Sequence, residues 1–199
     1  MKDKNARPPS TASSWRMFCA IELPDALRQQ LAEHIQQLRV AVPQAHASWI
    51  RPENIHLTLK FFGDVKQGLV PKISAAAARA VEQLGPLQIG VGSTGAFPKL
   101  SQPRVLWIGV SDPSGKLATL QQQFESESHR EGFAKEERPF HPHLTIARIR
   151  NPAGSRTLAQ AHQRLGFAAQ TFTANEFIVF RSELSSQGSK YTAISRHEF

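Results

Sequence analysis

One phrase occurs twice in the chain: His56-Leu57-Thr58-Leu59 and His143-Leu144-Thr145-Ile146. On a β-strand, side chains alternate between faces, so each histidine shares a face with its threonine and the aliphatic residues point the other way. Such a strand packs helices against one face and turns the other to water or a ligand. Two of them around a common cleft bring together two imidazoles and two hydroxyls. Imidazole titrates near ~6.5, so one ring can take a proton from an attacking hydroxyl or water while the other gives one to a departing oxygen. Threonine hydroxyls donate hydrogen bonds to nonbridging phosphoryl oxygens and stabilise charge that builds there. The set suits in-line displacement at a phosphodiester, and a cyclic phosphate above all, because a strained ring opens without an external energy source. A lone His-x-Thr carries little; two copies with the same aliphatic flanks argue for function.

The elements that must position these residues follow from patterning. Arg16 to Leu23 is a short apolar run stopped by Pro24, which also suits the first turn of a helix carrying Leu27, Leu31, Ile35 and Leu38 on one face. Ser48 to Phe62 reads as two β-segments broken at Arg51-Pro52-Glu53-Asn54, with Gly63 and Asp64 closing the second. Pro71 to Leu84 is an alanine-rich helix with Ile73, Ala77, Val81 and Leu84 aligned. Strands are expected over 87–97, 105–110, 143–149, 171–180 and 190–194, and helices over 116–130 and 158–165. The repetition of β-α-β-α-β in each half predicts an α+β protein of two similar lobes around a central cleft. Residues 1–14 hold two prolines and hardly any apolar side chain, so they read as a flexible leader before a single domain over 15–199.

Composition sets the limits. A chain of 199 residues that is 40% hydrophobic buries a real core. No stretch reaches the roughly 18–20 apolar residues that span a bilayer, and the start lacks a secretory apolar core, so a cytoplasmic protein without a membrane partner is expected. The single cysteine, Cys19, sits in an apolar run and reads as a small buried hydrophobe, which sets aside disulfides and thiol catalysis. The net charge of +8 favours a polyanionic ligand such as nucleic acid. Asp112 to Leu117 falls short of a phosphate loop, with Val110 and Leu117 where glycine and Ser/Thr are needed, which disfavours an ATP-dependent ligase. His141 and His143 alone make no metal set. His34, His129, His162 and His197 are read as solvated, and Trp49 and Trp107 as core or cleft wall.

The paired motifs resemble the His-x-Thr-x signature of the two-histidine (2H) phosphoesterases. The fuller context is similar to one branch, the bacterial and archaeal RNA 2′,3′-cyclic phosphodiesterases, also called 2′–5′ RNA ligases. The matching phrases are Arg16–Pro24, Asn54–Gly63, Val105–Gly109 and Arg138–Arg148. The resemblance implies a bilobal fold and hydrolysis of an RNA 2′,3′-cyclic phosphate to a 2′-phosphate, with no metal or other cofactor. It also implies joining of such an end to a 5′-hydroxyl. It assigns His56 as proton donor and His143 as proton acceptor, with Thr58 and Thr145 holding the phosphate, in a monomer acting on RNA or a nucleotide. By parity Lys60 shares the face of His56 and Thr58 and is a candidate phosphate contact. Arg148 falls on the opposite face from His143 by strict alternation; the phosphate-side role that the family pattern gives it requires a bulge or strand end there. Phe18, Phe61 and Phe140 are candidates to stack on a nucleobase, against core packing as the ordinary use of such rings. Two rival readings stay open: an RNA-end-binding module without turnover, and a 2H phosphoesterase acting on another 2′-linked nucleotide.

Overall fold

The structure, a computed structural model, describes residues 13–185 and 188–199. The expected leader therefore lies almost wholly outside the described residues, and the first strand already begins at Ser14. The chain order is β1 (Ser14–Ile21), α1 (Asp25–Ala41), β2 (Ala47–Trp49), β3 (Leu57–Lys66), α2 (Val70–Val81), β4 (Leu87–Phe97) and β5 (Val105–Ser111). It continues with α3 (Lys116–Arg130), β6 (His143–Ile149), α4 (Ser155–Leu165), β7 (Gln170–Ala174), β8 (Glu176–Ser185) and β9 (Gly188–Glu198).

The helices form where the apolar spacing is helical. Pro24 caps α1, which buries Leu27, Leu31, Ile35 and Leu38 on one stripe. In α2 the buried face is Ile73, Ala76, Ala77 and Ala80, small enough to bring this helix close against α3. The strands form one antiparallel sheet in the order β7-β4-β5-β6-β3-β1-β8-β9, with β2 added beside β6. At its centre β3 and β6 are neighbours, yet they pair only at Leu57 and Leu144. The sheet parts beyond that single rung, leaving a lobe of four strands (β3, β1, β8, β9) on one side and of five (β7, β4, β5, β6, β2) on the other. The bilobal α+β expectation holds, and each lobe draws on both halves of the chain. β1 and β3 from the first half pair with β8 and β9 from the second. β4 and β5 pair with β6 and β7.

Most of the core is one contiguous apolar cluster between sheet and helices, which includes Leu57, Leu59, Leu144 and Ile146. A second, small cluster of Phe18, Ala20, Ile178 and Phe180 lies on the other face of the first lobe. Two expectations are corrected. Residues 171–180 are not one strand: the chain breaks at Asn175, and β7 and β8 lie at nearly opposite ends of the sheet. His34 and His162 are not solvated; they are buried between α1 and α4, His34 Nε2 lying 2.9 Å from His162 Nδ1. His162 Nε2 in turn donates to the Trp107 carbonyl at 3.0 Å.

Candidate active site

His56 and His143 each stand at the entrance to a central strand, and each is held in the same way. His56 Nδ1 lies 2.8 Å from the carbonyl of Asn54, and His143 Nδ1 lies 2.7 Å from that of His141. A carbonyl only accepts, so Nδ1 carries the hydrogen in both rings, and Nε2 is the atom left to exchange protons. Pro52 to Asn54 form a single helical turn before β3, and the Asn54 side-chain amide donates to the Ser189 carbonyl on β9 at 2.8 Å. The first histidine is thereby tied to the far strand of its lobe.

Both histidines, with Thr58 and Thr145, line one cleft of about 510 Å³. Arg148, Arg150, Arg16, Phe61 and Tyr191 line it too. Rings wall in the imidazoles: Phe18 stacks on His56 at 4.7 Å between centroids, Tyr191 meets it edge-on at 5.3 Å, and Phe97 meets His143 edge-on at 5.0 Å. Burial, with the Arg148 and Arg28 guanidiniums adding to it, lowers the pKa of His56 to about 4 despite the Asn54 carbonyl. Burial lowers His143 as well, against the His141 carbonyl, with Arg148 and His141 adding to the effect. Arg148 is the cation that both rings feel. An anion seated beside it would reverse that influence and draw a proton onto either ring.

Arg148 reaches the cleft because β6 carries the required bulge. Leu106 pairs with Ala147 but Trp107 pairs with Thr145, leaving Ile146 as an extra residue. The first motif carries the same feature one residue after its threonine: Cys19 pairs with Lys60 and Ala20 with Thr58, leaving Leu59 unmatched. That bulge corrects the expectation for Lys60. Parity flips at Leu59, so Lys60 turns to the helix-covered side, where its Nζ is 2.7 Å from Glu125 Oε2 and 2.9 Å from the Ala134 carbonyl. Phe61 takes its place in the cleft, about half exposed, with the Arg16 guanidinium 4.7 Å over its ring.

Phe18 is a wall of the cleft but no platform for a base. It is 3% exposed, and its stacking partners are the rings of His56 and Phe180. Phe140 packs against the main core, and Cys19 is buried as expected. Arg16, Arg150, Tyr191 and Asn54 were not singled out from the sequence. Alternation with Phe18 and Arg148 pointed to the two arginines, whereas nothing local marked Tyr191 or the Asn54 carbonyl. Among the described residues no three His, Cys, Asp or Glu side chains converge on one point. Among the described residues no helix is long and apolar enough to cross a membrane.

Comparisons with known proteins bear on the family. A protein of Methanothermobacter thermautotrophicus named RNA 2′,3′-cyclic phosphodiesterase is 33% identical over 178 residues, which are 89% of this chain and 95% of that one. The protein of the same name from Escherichia coli is 28% identical over 91% of this chain and 94% of its own. A crystal structure of E. coli LigT complexed with 3′-AMP superposes with a TM-score of 0.73 at 25% identity, covering 94% of this chain and 98% of that one. The family described as the 2′-5′ RNA ligase superfamily matches residues 24–185, most of the described fold and both motifs, and the chain belongs to it.

Proposed function

We propose that the protein hydrolyses the 2′,3′-cyclic phosphate at the end of an RNA strand to a 2′-phosphate, with His56 as proton donor and His143 as proton acceptor. The observation that carries the reading is the matched pair of imidazoles in one cleft, each with Nδ1 tied to a carbonyl and Arg148 acting on both. The phosphate sits between the rings, its nonbridging oxygens taking hydrogen bonds from Thr58, Thr145 and Arg148. His143 Nε2 removes a proton from water as the water oxygen bonds to phosphorus. The bond from phosphorus to the ribose 3′-oxygen breaks in line with this attack, and His56 Nε2 delivers a proton to that oxygen. The product is a 2′-phosphate beside a free 3′-hydroxyl. A 5′-hydroxyl in place of water gives a 2′–5′ bond by the same displacement. The names of the similar proteins and the 3′-AMP in the E. coli crystal support a nucleotide in this cleft. A single buried cysteine and an RNA substrate support a cytoplasmic enzyme, residues 15–199 forming one domain that acts as a monomer without cofactor.

The test is turnover of an RNA oligonucleotide ending in a 2′,3′-cyclic phosphate, in the presence of a chelator, with the product's phosphate position determined. A 2′-phosphate is expected. His56→Ala and His143→Ala should each slow turnover by about 10²–10⁴-fold, the usual worth of acid or base assistance. Tight binding without turnover by the wild type would make the protein an end-binding module. Near-wild-type rates in either variant would remove the two-histidine mechanism.

A further inference from the structure

The bulge in β6 decides whether Arg148 faces the cleft. Ile146 and Ala147 are consecutive, yet both are fully buried in the core. Regular alternation would bring Ala147 to the cleft and turn Arg148 under the helices. A bulge interrupts the ladder locally, so bonds from outside the ladder are what hold the two strands out of step. Two such bonds land here. The Ile50 amide, just after β2, donates to the Ile146 carbonyl at 2.9 Å. The other comes from a helix: His162 Nε2 donates at 3.0 Å to the carbonyl of Trp107, the residue at which the pairing with β6 slips.

The tautomer of His162 follows from that bond. Nε2 carries the hydrogen that goes to Trp107, so Nδ1 is bare and accepts from His34 Nε2 at 2.9 Å. The donors therefore run in one order, from His34 to His162 to the Trp107 carbonyl. Both imidazoles are buried, and Phe167 closes edge-on over His34 at 5.5 Å. Joining α1 to α4 asks only for apolar volume, which Leu158, Ala159 and Ala161 already supply beside His162. An aliphatic side chain would fill the place without a desolvation cost, whereas a buried imidazole is tolerated only with its N–H spent on an acceptor. What the imidazole adds is a directed donor at the bulge.

We propose that His162, braced by His34, is a positioning residue for the site: its bond to the Trp107 carbonyl holds the β6 bulge, and the bulge keeps Arg148 turned into the cleft. Neither histidine lines the cleft, so truncating them removes no group that a ligand there would touch. The inference rests on the cleft reading given above, in which Arg148 binds the phosphate, and the experiment separates the two.

The proteins compared are the wild type, His162→Leu, His162→Gln, Arg148→Gln and the double variant His162→Leu/Arg148→Gln. The first readout is turnover of an RNA ending in a 2′,3′-cyclic phosphate. His162→Leu should lower kcat/KM by about 10–10²-fold, the usual effect of a small displacement caused from a distance. His162→Gln keeps a donor and should recover most of the loss. In the Arg148→Gln background His162→Leu should cost little more, because the group it positions is already gone. An equal fold-loss in both backgrounds would overturn the proposal, since a merely structural role lowers both alike. The second readout needs no substrate: the His56 and His143 rings of the free proteins are titrated by nuclear magnetic resonance. Besides Arg148, the Asn54 carbonyl and Arg28 act on His56, and His141 acts on His143 through its carbonyl and its ring; none of these belongs to the bulge. Both rings should titrate higher in His162→Leu, as in Arg148→Gln, with no further rise in the double variant. Titrations that match the wild type would overturn the proposal. If the wild type turns over no cyclic phosphate, the cleft reading fails and the ring titrations decide the positioning by themselves. Should His162→Leu not fold, His34→Leu takes its place in both measurements: a smaller change in the same direction upholds the proposal, and wild-type values overturn it.

Discussion

Arg148 gives the site its most distinctive electrostatics at the scale of single residues. It lowers the proton affinity of both imidazoles behind burial, the larger cause, so at neutral pH the free protein holds both rings uncharged. Under the proposed mechanism the donor gains its proton as the phosphate anion arrives. The pH profile of kcat/KM reports the free enzyme, and it should be a bell centred below the ordinary imidazole value of ~6.5. The bell for kcat, which reports the bound state, should be centred higher. Arg148→Gln removes a cation that both rings feel and should move the kcat/KM bell upward. It should also lower kcat/KM by about 10–10²-fold, the worth of a hydrogen bond to a charged group. A bell that stays in place would show that Arg148 does not set the titration. The paired motifs, and with them His56, His143, Thr58 and Thr145, were legible because the phrase repeats. Lys60 and Phe18 were misread for physical reasons. A bulge at Leu59 leaves no mark in residue type, since leucine suits a regular strand equally well, and it exchanges the faces of Lys60 and Phe61. Phe18 has the right parity, but its ring is already used against His56 and Phe180.

Among elements, the helices were the most legible, because a 3.6-residue apolar stripe has few other uses. The break at Asn175 was not: it carries neither glycine nor proline, and the runs on each side alternate alike, so nothing in the pattern sends β7 and β8 to different lobes. Helices α1 and α4 are joined by a pair of histidines that the sequence left in solvent. Burial lowers His34 to about 4, with His162 adding to the effect, and burial lowers His162 against the Trp107 carbonyl. The unfolded chain binds protons at these rings near pH ~6.5, whereas the folded chain resists them until well below that value. Stability from the pair is therefore complete above about pH 6.5 and declines as pH falls toward the folded values. His56 titrates over the same window, so the comparison must be with a variant. His162→Gln keeps an amide to donate to the Trp107 carbonyl and removes a titrating ring. Denaturant titrations between pH 7 and 4.5 should show it losing less stability than the wild type, by on the order of 1–3 kcal/mol. Equal losses would show that the pair does not titrate in that range.

Over the whole molecule, the chain crosses between lobes repeatedly: β1 and β3 need β8 to complete their sheet, and β6 needs β4 and β5. Neither half of the polypeptide has a core of its own. Unfolding should be a single transition, coincident when followed by far-ultraviolet circular dichroism and by tryptophan fluorescence, since Trp15 lies in one lobe and Trp49 and Trp107 in the other. Two separated transitions would show that the lobes fold independently. The charge of +8 was plain from composition, but the gathering of Arg16, Arg148 and Arg150 in the cleft required the strand order. The repeated bulge has a last consequence. A cleft with true twofold symmetry would accept a cyclic diester either way round and release the 2′- or the 3′-oxygen indifferently. The position five residues beyond each histidine is turned inward by its bulge, and it holds Phe61 on one wall and Arg148 on the other. A ring with the Arg16 guanidinium over it on one wall and the Arg148 guanidinium on the other present unlike surfaces, so under the proposed reaction regioselectivity enters at the very step where the two copies of the motif stop being alike.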